Sequence, residues 1–177
     1  MRFPTIRIEG SILSADILDK LENADLRGQR STDFGLPTNA KVKDEIVRAW
    51  TDAQGLWRMF KRQMENVALD KTGTTETRRY WMVPLLGLLG YNPELLRDTP
   101  RIDEKTYPIS HADTSRDNLP LHIMGFHDSL DKKRETGGPR LSPHALVQEY
   151  INLHEHLYGL VTNGLRLRLL SRRNRDA

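Results

Sequence analysis

The residues of this chain with the clearest chemical role are arginines close to its last residue. In LYGLVTNGLRLRLL (157–170), a Thr-Asn-Gly turn is followed by strict alternation of leucine and arginine. Asn-Gly favours a hairpin, and alternate side chains of a strand lie on opposite faces. We expect the core face to consist of Leu165, Leu167 and Leu169. The outer face then carries a basic stripe that can contact phosphates, made of Arg166, Arg168, Arg172 and Arg173.

The distribution of charge also indicates a local basic surface. The net charge is +3, whereas residues 164–177 alone carry five arginines and one aspartate, so the rest of the chain is slightly acidic. A cluster of this kind is typical of a surface for an anionic partner. Two alternatives stay open: a solubilising tail, or arginines that pair with acids of a neighbouring domain or protect an edge strand.

The composition is that of an ordinary globular protein. Of the 177 residues, 37% are hydrophobic and 29% are charged. No apolar run approaches the ~18 residues of a membrane span, and the first residues lack a signal-peptide core, so no membrane partner is expected. The chain has no cysteine, which excludes disulfides and cysteine-based zinc sites and favours a cytoplasmic location.

Histidines are the other candidate metal ligands. All six lie between His111 and His156. His154 and His156 are two residues apart, on different faces of a helix, and no His-x-x-x-His pair occurs. A metal cluster of His111, His127 and His144, drawn from three elements, is the alternative to histidines without a metal.

The first part of the chain is predicted to be mainly helical. Residues 4–10 alternate like a short strand, and Ser14 is placed to cap a short helix. Residues 40–66 space their apolar side chains at three and four, which predicts a long amphipathic helix whose aromatic residues make core contacts. The polar segment DKTGTTET (70–77) is interpreted as a linker. We therefore expect a helical region over 1–73 and a second domain over 74–177.

The second domain is predicted to mix helices and strands. Thr75 is expected to cap a helix that ends at Gly90 and that Pro84 either kinks or restarts. Strands are expected within 101–113 and 119–130, then a helix over 142–156 with Ser142 as cap, then the hairpin. The predicted order is helix, three strands, helix, two strands. The fold class is α/β (α+β), with a mixed sheet flanked by helices.

That order is the core of the PD-(D/E)XK nuclease fold, and several segments resemble one protein family. RRYWMVPLLGLLGY, YPISH, SPHALVQEYIN and the TNG hairpin are similar to the N-terminal region of type IIG-like restriction–modification proteins. In these proteins, a nuclease-like region precedes an adenine-specific DNA methyltransferase, and related proteins occur in bacterial phage defence. IEGSILSADIL, DFGL and DEIVRAW extend the resemblance over nearly the whole chain.

The resemblance implies a metal site that this sequence does not preserve at the expected position. Such nucleases carry an acid near the end of the second strand and an acid-x-Lys on the third, which hold Mg²⁺ and orient the attacking water. The expected third-strand position reads Gly125-Phe126-His127. We therefore expect a degenerate nuclease site.

An active site can still be assembled from neighbouring residues. Asp131-Lys132-Lys133 is a literal acid-x-Lys, and Asp117 or Asp113 offers the upstream carboxylate. In this alternative, Asp117 and Asp131 bind Mg²⁺ and Lys133 completes the catalytic set. The resemblance also implies that Gln148, on the helix after the third strand, lies near bound DNA.

Methyltransferase chemistry is absent from the sequence itself. Neither a glycine-rich loop for S-adenosylmethionine nor an Asn-Pro-Pro-aromatic motif occurs, so that cofactor belongs to a following domain. The expected function is a DNA-handling module of a restriction–modification protein, with double-stranded DNA and a C-terminal methyltransferase domain or defence-system subunits as partners. The alternatives are an active Mg²⁺-dependent endonuclease and a structural domain for assembly.

Overall fold

The computed structural model describes residue 7 and residues 14–135 and 139–172. The strand predicted over 4–10 lies almost wholly outside these residues. The chain forms two compact units, residues 1–51 and residues 52–177. Among the described residues, no helix is both long enough and apolar enough to cross a membrane.

The first unit is helical where it is described. Helix α1 (Ala15–Glu22) begins after Ser14, whose hydroxyl accepts a hydrogen bond from the Ile17 N–H, so the predicted cap is confirmed. A 3-10 turn covers Ser31–Phe34, and helix α2 (Val42–Glu65) begins in this unit and continues into the second. The predicted core role does not extend to Trp50, which is 65% exposed.

The second half of α2 contributes to an aromatic cluster in the second unit. Phe60 is fully buried and stacks on Trp81 with ring centroids 6.2 Å apart. Trp57 lies 5.1 Å from Trp81, and Phe126 meets Phe60 edge-on. The prediction that the aromatic residues of this helix are core contacts is therefore confirmed for Phe60 and, in part, for Trp57.

The next helical segment is irregular because of its proline. It consists of α3 (Thr74–Thr77), a π-helical turn (Arg78–Met82) and α4 (Val83–Leu88). Pro84 has no N–H to donate, and the helix widens over the residues before it. The predicted cap at Thr75 is wrong, since Gly73 caps α3 with a φ of 68°. The predicted stop is confirmed, because Gly90 has a φ of 80° and the Tyr91 N–H bonds the Leu86 carbonyl.

The predicted linker is a packed segment. A Cβ on Gly73 would lie 2.1 Å from the Phe126 ring, and a Cβ on Gly125 would lie 2.0 Å from the Thr72 carbonyl oxygen. The backbones of the two segments therefore touch. The His127 N–H also bonds the Thr72 carbonyl at 3.2 Å.

Within the described residues, the main sheet has five strands in the order β1-β4-β5-β6-β7. In chain order, the strands of the unit are β1 (Pro93–Leu95), β2 (Arg101–Ile102), β3 (Lys105–Thr106), β4 (His111–Asp113), β5 (Leu119–Ile123), β6 (Tyr158–Thr162) and β7 (Leu167–Ser171). Only β5 and β6 pair in parallel, whereas the other neighbours are antiparallel. Strands β2 and β3 form a separate hairpin. The bounds predicted over 101–113 and 119–130 were too long, and β1 was missed.

Helix α5 (Pro143–Leu153) connects β5 to β6 and covers one face of the sheet. Its predicted cap is confirmed, since the Ser142 hydroxyl accepts from the Ala145 N–H. The core on this side contains Tyr107, Val147, Ile151 and Val161. On the opposite face, α4 packs on Leu121, Ile123 and Leu160. The mixed α/β class, with helices on both faces of a mixed sheet, is thereby confirmed.

In the hairpin of β6 and β7, the buried and exposed faces of the second strand are reversed relative to our prediction. Leu165, Leu167 and Leu169 are 51%, 49% and 44% exposed, so the prediction that they meet the core is wrong. Instead, Leu170 is buried against α5, and Arg168 lies on that same face, half-buried. Leu169 lies opposite Leu160 on the α4 side, where the helices leave the outermost strand uncovered.

Candidate functional site

The candidate site lies where the parallel strands β5 and β6 reach their carboxyl ends. Residues 124–134 follow β5 there, and the turn at Asn163 and Gly164 follows β6. Ligands of open α/β sheets commonly bind at such an edge. The residues at this end include acids and bases in close pairs, and the arrangement of these pairs defines what the site can bind.

An arginine occupies the end of β5. The Arg78 guanidinium donates two hydrogen bonds, at 2.9 and 2.8 Å, to the carbonyl oxygen of Ile123. Burial and the nearby positive charge of Arg134 lower the pKa of Arg78 from its ordinary value. A cation already sits beside the strand position at which the resemblance implies a metal ligand. This arrangement disfavours a divalent metal ion at the same place.

The second arginine of the site holds the buried carboxylate of Asp128. Arg134 donates through Nε and Nη2 to the two carboxylate oxygens, at 2.8 and 2.6 Å. The Gly125 N–H adds a third hydrogen bond at 2.9 Å. The hydrogen bonds to Asp128 raise the pKa of Arg134. This acid therefore has its charge neutralised and its lone pairs largely satisfied within the protein.

Asp131 is held in the same way by an arginine of the hairpin. Arg168 donates to its two oxygens at 2.6 and 2.7 Å, and its Nη1 lies 3.2 Å from Nδ1 of His144. These hydrogen bonds keep the pKa of Asp131 below its usual range. The carboxylate is ionised, yet both of its oxygens already have a cationic partner, so Mg²⁺ would have to displace Arg168.

The structure does not bring the two predicted metal ligands together. Asp117 lies in the turn before β5 and lines a cleft with His154, just beyond the last residue of α5. Asp131 lies beside His144, in the first turn of α5. The eleven residues of that helix span about 15 Å. A single Mg²⁺, whose ligands lie about 2.1 Å away, cannot bridge this separation.

The other upstream candidate is fully engaged in its own turn. Asp113 is buried, and burial alone would raise its pKa. Hydrogen bonds from Ser115, the Asn92 N–H and Arg116 outweigh burial and lower the pKa of Asp113 instead. It therefore acts as an anchor between β1, β4 and the turn.

Three basic side chains at this end form no ion pair with an acid among residues 14–135 and 139–172. They are Lys132, Lys133 and Arg166. Arg166 lies near enough to Asp131 to lower its pKa further. Since Arg134 and Arg168 neutralise the two acids, these three cations set the sign of the surface, which is positive. Arg172, just beyond the end of β7, is exposed, and Arg173 lies outside the described residues.

The histidines do not form a metal centre. No group of three His, Asp or Glu side chains in the described part of the chain can hold a metal ion. His111 contacts the Ser110 hydroxyl at 2.8 Å, whereas His127 contacts the Lys71 carbonyl at 2.6 Å. Burial, with the positive charge of Arg78, lowers the pKa of His111 to about 4. The same two causes lower the pKa of His122 to about 4.

The side chain of Gln148, which was predicted to lie near bound DNA, makes hydrogen bonds within the protein. Its side-chain amide donates to the Ser171 carbonyl and to Asn152, both at 3.0 Å, which ties α5 to β7.

The prediction that His154 and His156 lie on different faces of a helix is wrong, because α5 ends at Leu153 and the two rings stack 4.3 Å apart.

The TNG turn joins the hairpin to the rest of the site. The Asn163 side chain accepts hydrogen bonds from Leu165 and Arg166 and donates to the Asp128 carbonyl. Trp81 donates its indole N–H to the Gly164 carbonyl at 2.7 Å. A Cβ on Gly164 would lie 2.8 Å from Thr77, so the turn fits closely against the helical segment. The turn thereby fixes the position of Arg166 and Arg168 relative to the loop after β5.

Sequence reasoning missed two arginines at this end of the sheet, Arg78 and Arg134. Each lies in a short basic run, RR at 78–79 and KKR at 132–134, that is typical of solvated surface. Their partners, Ile123 and Asp128, become neighbours only in the fold.

Comparison of the chain with protein-family models, curated proteins and solved structures finds no match in any of the three.

Proposed function

We propose that this chain is a DNA-handling module with a degenerate nuclease site, as the N-terminal region of a restriction–modification protein would provide. The observation that carries the proposal is that two acids at the carboxyl ends of β5 and β6, Asp128 and Asp131, are already ion-paired within the protein. Each is bound by an internal arginine, which leaves Lys132, Lys133 and Arg166 to present net positive charge to an anionic partner. A surface on which these three cations outnumber the one remaining exposed acid of the loop, Glu135, favours phosphate contact over metal-dependent cleavage.

The order of elements supports the same proposal. A helix, three strands of the main sheet, a second helix and two further strands follow one another, with β5 and β6 parallel. This is the order that the resemblance implies. We propose double-stranded DNA as the partner and the cytoplasm as the place of action. Adenine methylation, with S-adenosylmethionine as cofactor, is assigned to a C-terminal methyltransferase domain that follows this region.

The proposed DNA contact is tested by charge reversal with a matched control. Lys132→Glu plus Arg166→Glu changes the net charge by −4 at the proposed surface, and Arg97→Glu plus Arg101→Glu makes the same change on two exposed residues near the other end of α5. In fluorescence anisotropy with a labelled duplex at low salt, the first pair is expected to weaken binding at least about tenfold, and the control less than about threefold. Equal effects of both pairs would contradict a localised contact.

The active-endonuclease alternative is tested by cleavage. With supercoiled DNA and Mg²⁺ or Mn²⁺, the wild-type chain is expected to produce no nicked product, since Asp131 is bound by Arg168 and Asp117 lies at the other end of α5. Nicking that disappears in Asp131→Asn would establish the alternative and remove the degenerate-site proposal.

A second candidate function, assembly, is favoured by the exposed leucines of the outer strand. Leu167 and Leu169 are exposed on one face of the edge strand β7, and the exposed Leu165 lies just before the strand and extends this apolar row. Apolar rows of this kind often mark protein interfaces. Sedimentation velocity at rising protein concentration is expected to show self-association that Leu167→Lys plus Leu169→Lys abolishes. If the protein sediments as a monomer at all concentrations, the exposed leucines do not mediate self-association.

A further inference from the structure

A cleft lies beyond the last residue of α5, away from the basic surface. Its volume is about 290 Å³. Its floor is apolar and comes from the sheet and the segment before it, with Ile109 and Ala112 almost fully buried. Ligand pockets of proteins begin at about this size, and an apolar floor with few polar groups is typical of them.

One wall of the cleft contains three neighbouring rings, of which the two histidine rings are nearly parallel. His154 and His156 stack with centroids 4.3 Å apart and an interplanar angle of 12°. Tyr150 lies 5.3 Å from His154 at 27° and 5.8 Å from His156 at 30°. All three line the cleft. Burial lowers the pKa of His156, which favours a neutral ring that can stack on another aromatic ring.

The Tyr150 hydroxyl is a polar group without a hydrogen-bond partner among the described residues. Tyr150 is only 7% exposed. The neighbouring Tyr107, which is fully buried, donates its hydroxyl to Glu149 at 2.7 Å. The Tyr150 hydroxyl oxygen is not fully enclosed by protein atoms, and its residue lines the cleft, so the hydroxyl is accessible to a ligand there. Burial raises the pKa of Tyr150, so its hydroxyl stays protonated and available to donate into the cleft.

The rim of the cleft provides acceptors. Asp117 and Asn118 have φ angles of 50° and 51° and form the tight turn between β4 and β5. Their side chains line the cleft together with Glu155. Two carboxylates and one amide oxygen favour a ligand with an N–H donor and disfavour one that carries phosphate.

We propose that this cleft binds the base of an amino-substituted nucleoside, adenosine or cytidine, without phosphate. The heterocycle stacks on an outer face of the His154–His156 pair, its exocyclic amine donates to Asp117, and the Tyr150 hydroxyl donates to the adjacent ring nitrogen. Adenine and cytosine each place an amine beside an unprotonated ring nitrogen, whereas hypoxanthine and uracil have a carbonyl beside an N–H. Nucleoside binding here is independent of the duplex contact proposed for the opposite end of α5.

Isothermal titration calorimetry of the full chain with four nucleosides tests this assignment. Adenosine or cytidine is expected to bind with a Kd below about 1 mM. Inosine and uridine, the matched carbonyl analogues, are expected to bind at least about tenfold more weakly, and AMP more weakly than adenosine. Failure of both amino nucleosides to bind, or binding of inosine and uridine with equal affinity, would overturn the proposal.

Three variants locate the binding. His154→Ala removes an exposed stacking ring and is expected to weaken binding at least about fivefold. Tyr150→Phe keeps the ring and removes only the hydroxyl, and Asp117→Asn keeps a residue suited to the turn while removing its charge. Each is expected to weaken binding several-fold, whereas Asp70→Asn, an exposed acid on the packed segment before α3, is expected to change nothing. Unchanged affinity in all three cleft variants would place any nucleoside elsewhere and contradict the proposal.

Discussion

Arg168 of the outermost strand binds Asp131 of the loop after β5 through both guanidinium Nη atoms. The two residues are 37 positions apart in the chain. The pair places an arginine of the hairpin within the candidate site and blocks the carboxylate that a literal acid-x-Lys would use. The charged side chains that form no ion pair therefore determine which ligands this end of the sheet can bind.

Asp131→Asn distinguishes the DNA-contact proposal from the endonuclease alternative. The substitution removes a negative charge and releases Arg168, so duplex DNA is expected to bind about two- to tenfold more tightly at low salt. The measurement is fluorescence anisotropy with the same labelled duplex. Weaker binding, or a Mg²⁺-dependent requirement for Asp131 in binding, would indicate a metal site in place of an internal ion pair.

The same pair is expected to contribute little to stability. Its acid is 56% exposed and its arginine 29% exposed, and partly exposed bidentate pairs contribute about 1 kcal/mol. A double-mutant cycle of Asp131→Asn and Arg168→Met, followed by urea unfolding, measures the coupling. A coupling above about 3 kcal/mol would show that the pair is a structural anchor of the hairpin.

Acid is expected to destabilise the second unit before its carboxylates are protonated. The pKa of His111 and that of His122 are lowered from 6.5 to about 4, so the unfolded chain binds more protons than the folded chain between these values. The stability is complete above about pH 6.5 and is lost as the pH falls toward 4, by up to about 3 kcal/mol per histidine.

Urea unfolding from about pH 7 to about pH 4.5 measures this loss. In His122→Gln, one titrating ring is absent, so the free energy of unfolding is expected to depend less steeply on pH even if its value at neutral pH is lower. A wild-type stability that stays constant over this range would contradict neutral, buried histidines.

Gly164→Ala is expected to destabilise the hairpin turn. Gly164 has a φ of 84°, and a Cβ there would approach Thr77 to 2.8 Å and Trp81 to 3.2 Å. Backbone strain and the steric clash together predict a loss of about 2–4 kcal/mol. Gly87→Ala is the matched control, because Gly87 lies in α4 with no atom within 4 Å of an added Cβ, and it is expected to be neutral or to stabilise by up to about 1 kcal/mol. Equal effects in thermal or urea unfolding would contradict the role of the turn.

Signals confined to a few neighbouring residues predicted the helices well. Ser14 and Ser142 cap helices through their own hydroxyls, and Gly90 stops one through its own backbone conformation. The strands were predicted less well. Strand β1 exists because its three residues pair with β4, and the local sequence PEL does not predict this pairing.

The hairpin shows the same limit at the candidate site. Strict alternation shows which side chains share a face, but it does not show which face is covered. Leu169 lies opposite Leu160, yet only Leu160 is covered by helix α4. Arg168 faces α5 instead, where Asp131 provides its counter-charge. The basic character of the hairpin was predictable from the sequence, whereas the division between paired and unpaired arginines depends on tertiary contacts.

The salt dependence of duplex binding tests the central claim most directly. Among the residues that the structure describes at this surface, Lys132, Lys133 and Arg166 form no ion pair, so log Kobs is expected to fall with log salt concentration with a slope of about −2.7, near −0.9 for each phosphate. In Lys132→Glu plus Arg166→Glu, the slope is expected to fall to about −1, while Arg97→Glu plus Arg101→Glu retains the wild-type slope. Absence of binding at low salt, or a slope that the first pair leaves unchanged, would contradict the assignment of this surface to DNA.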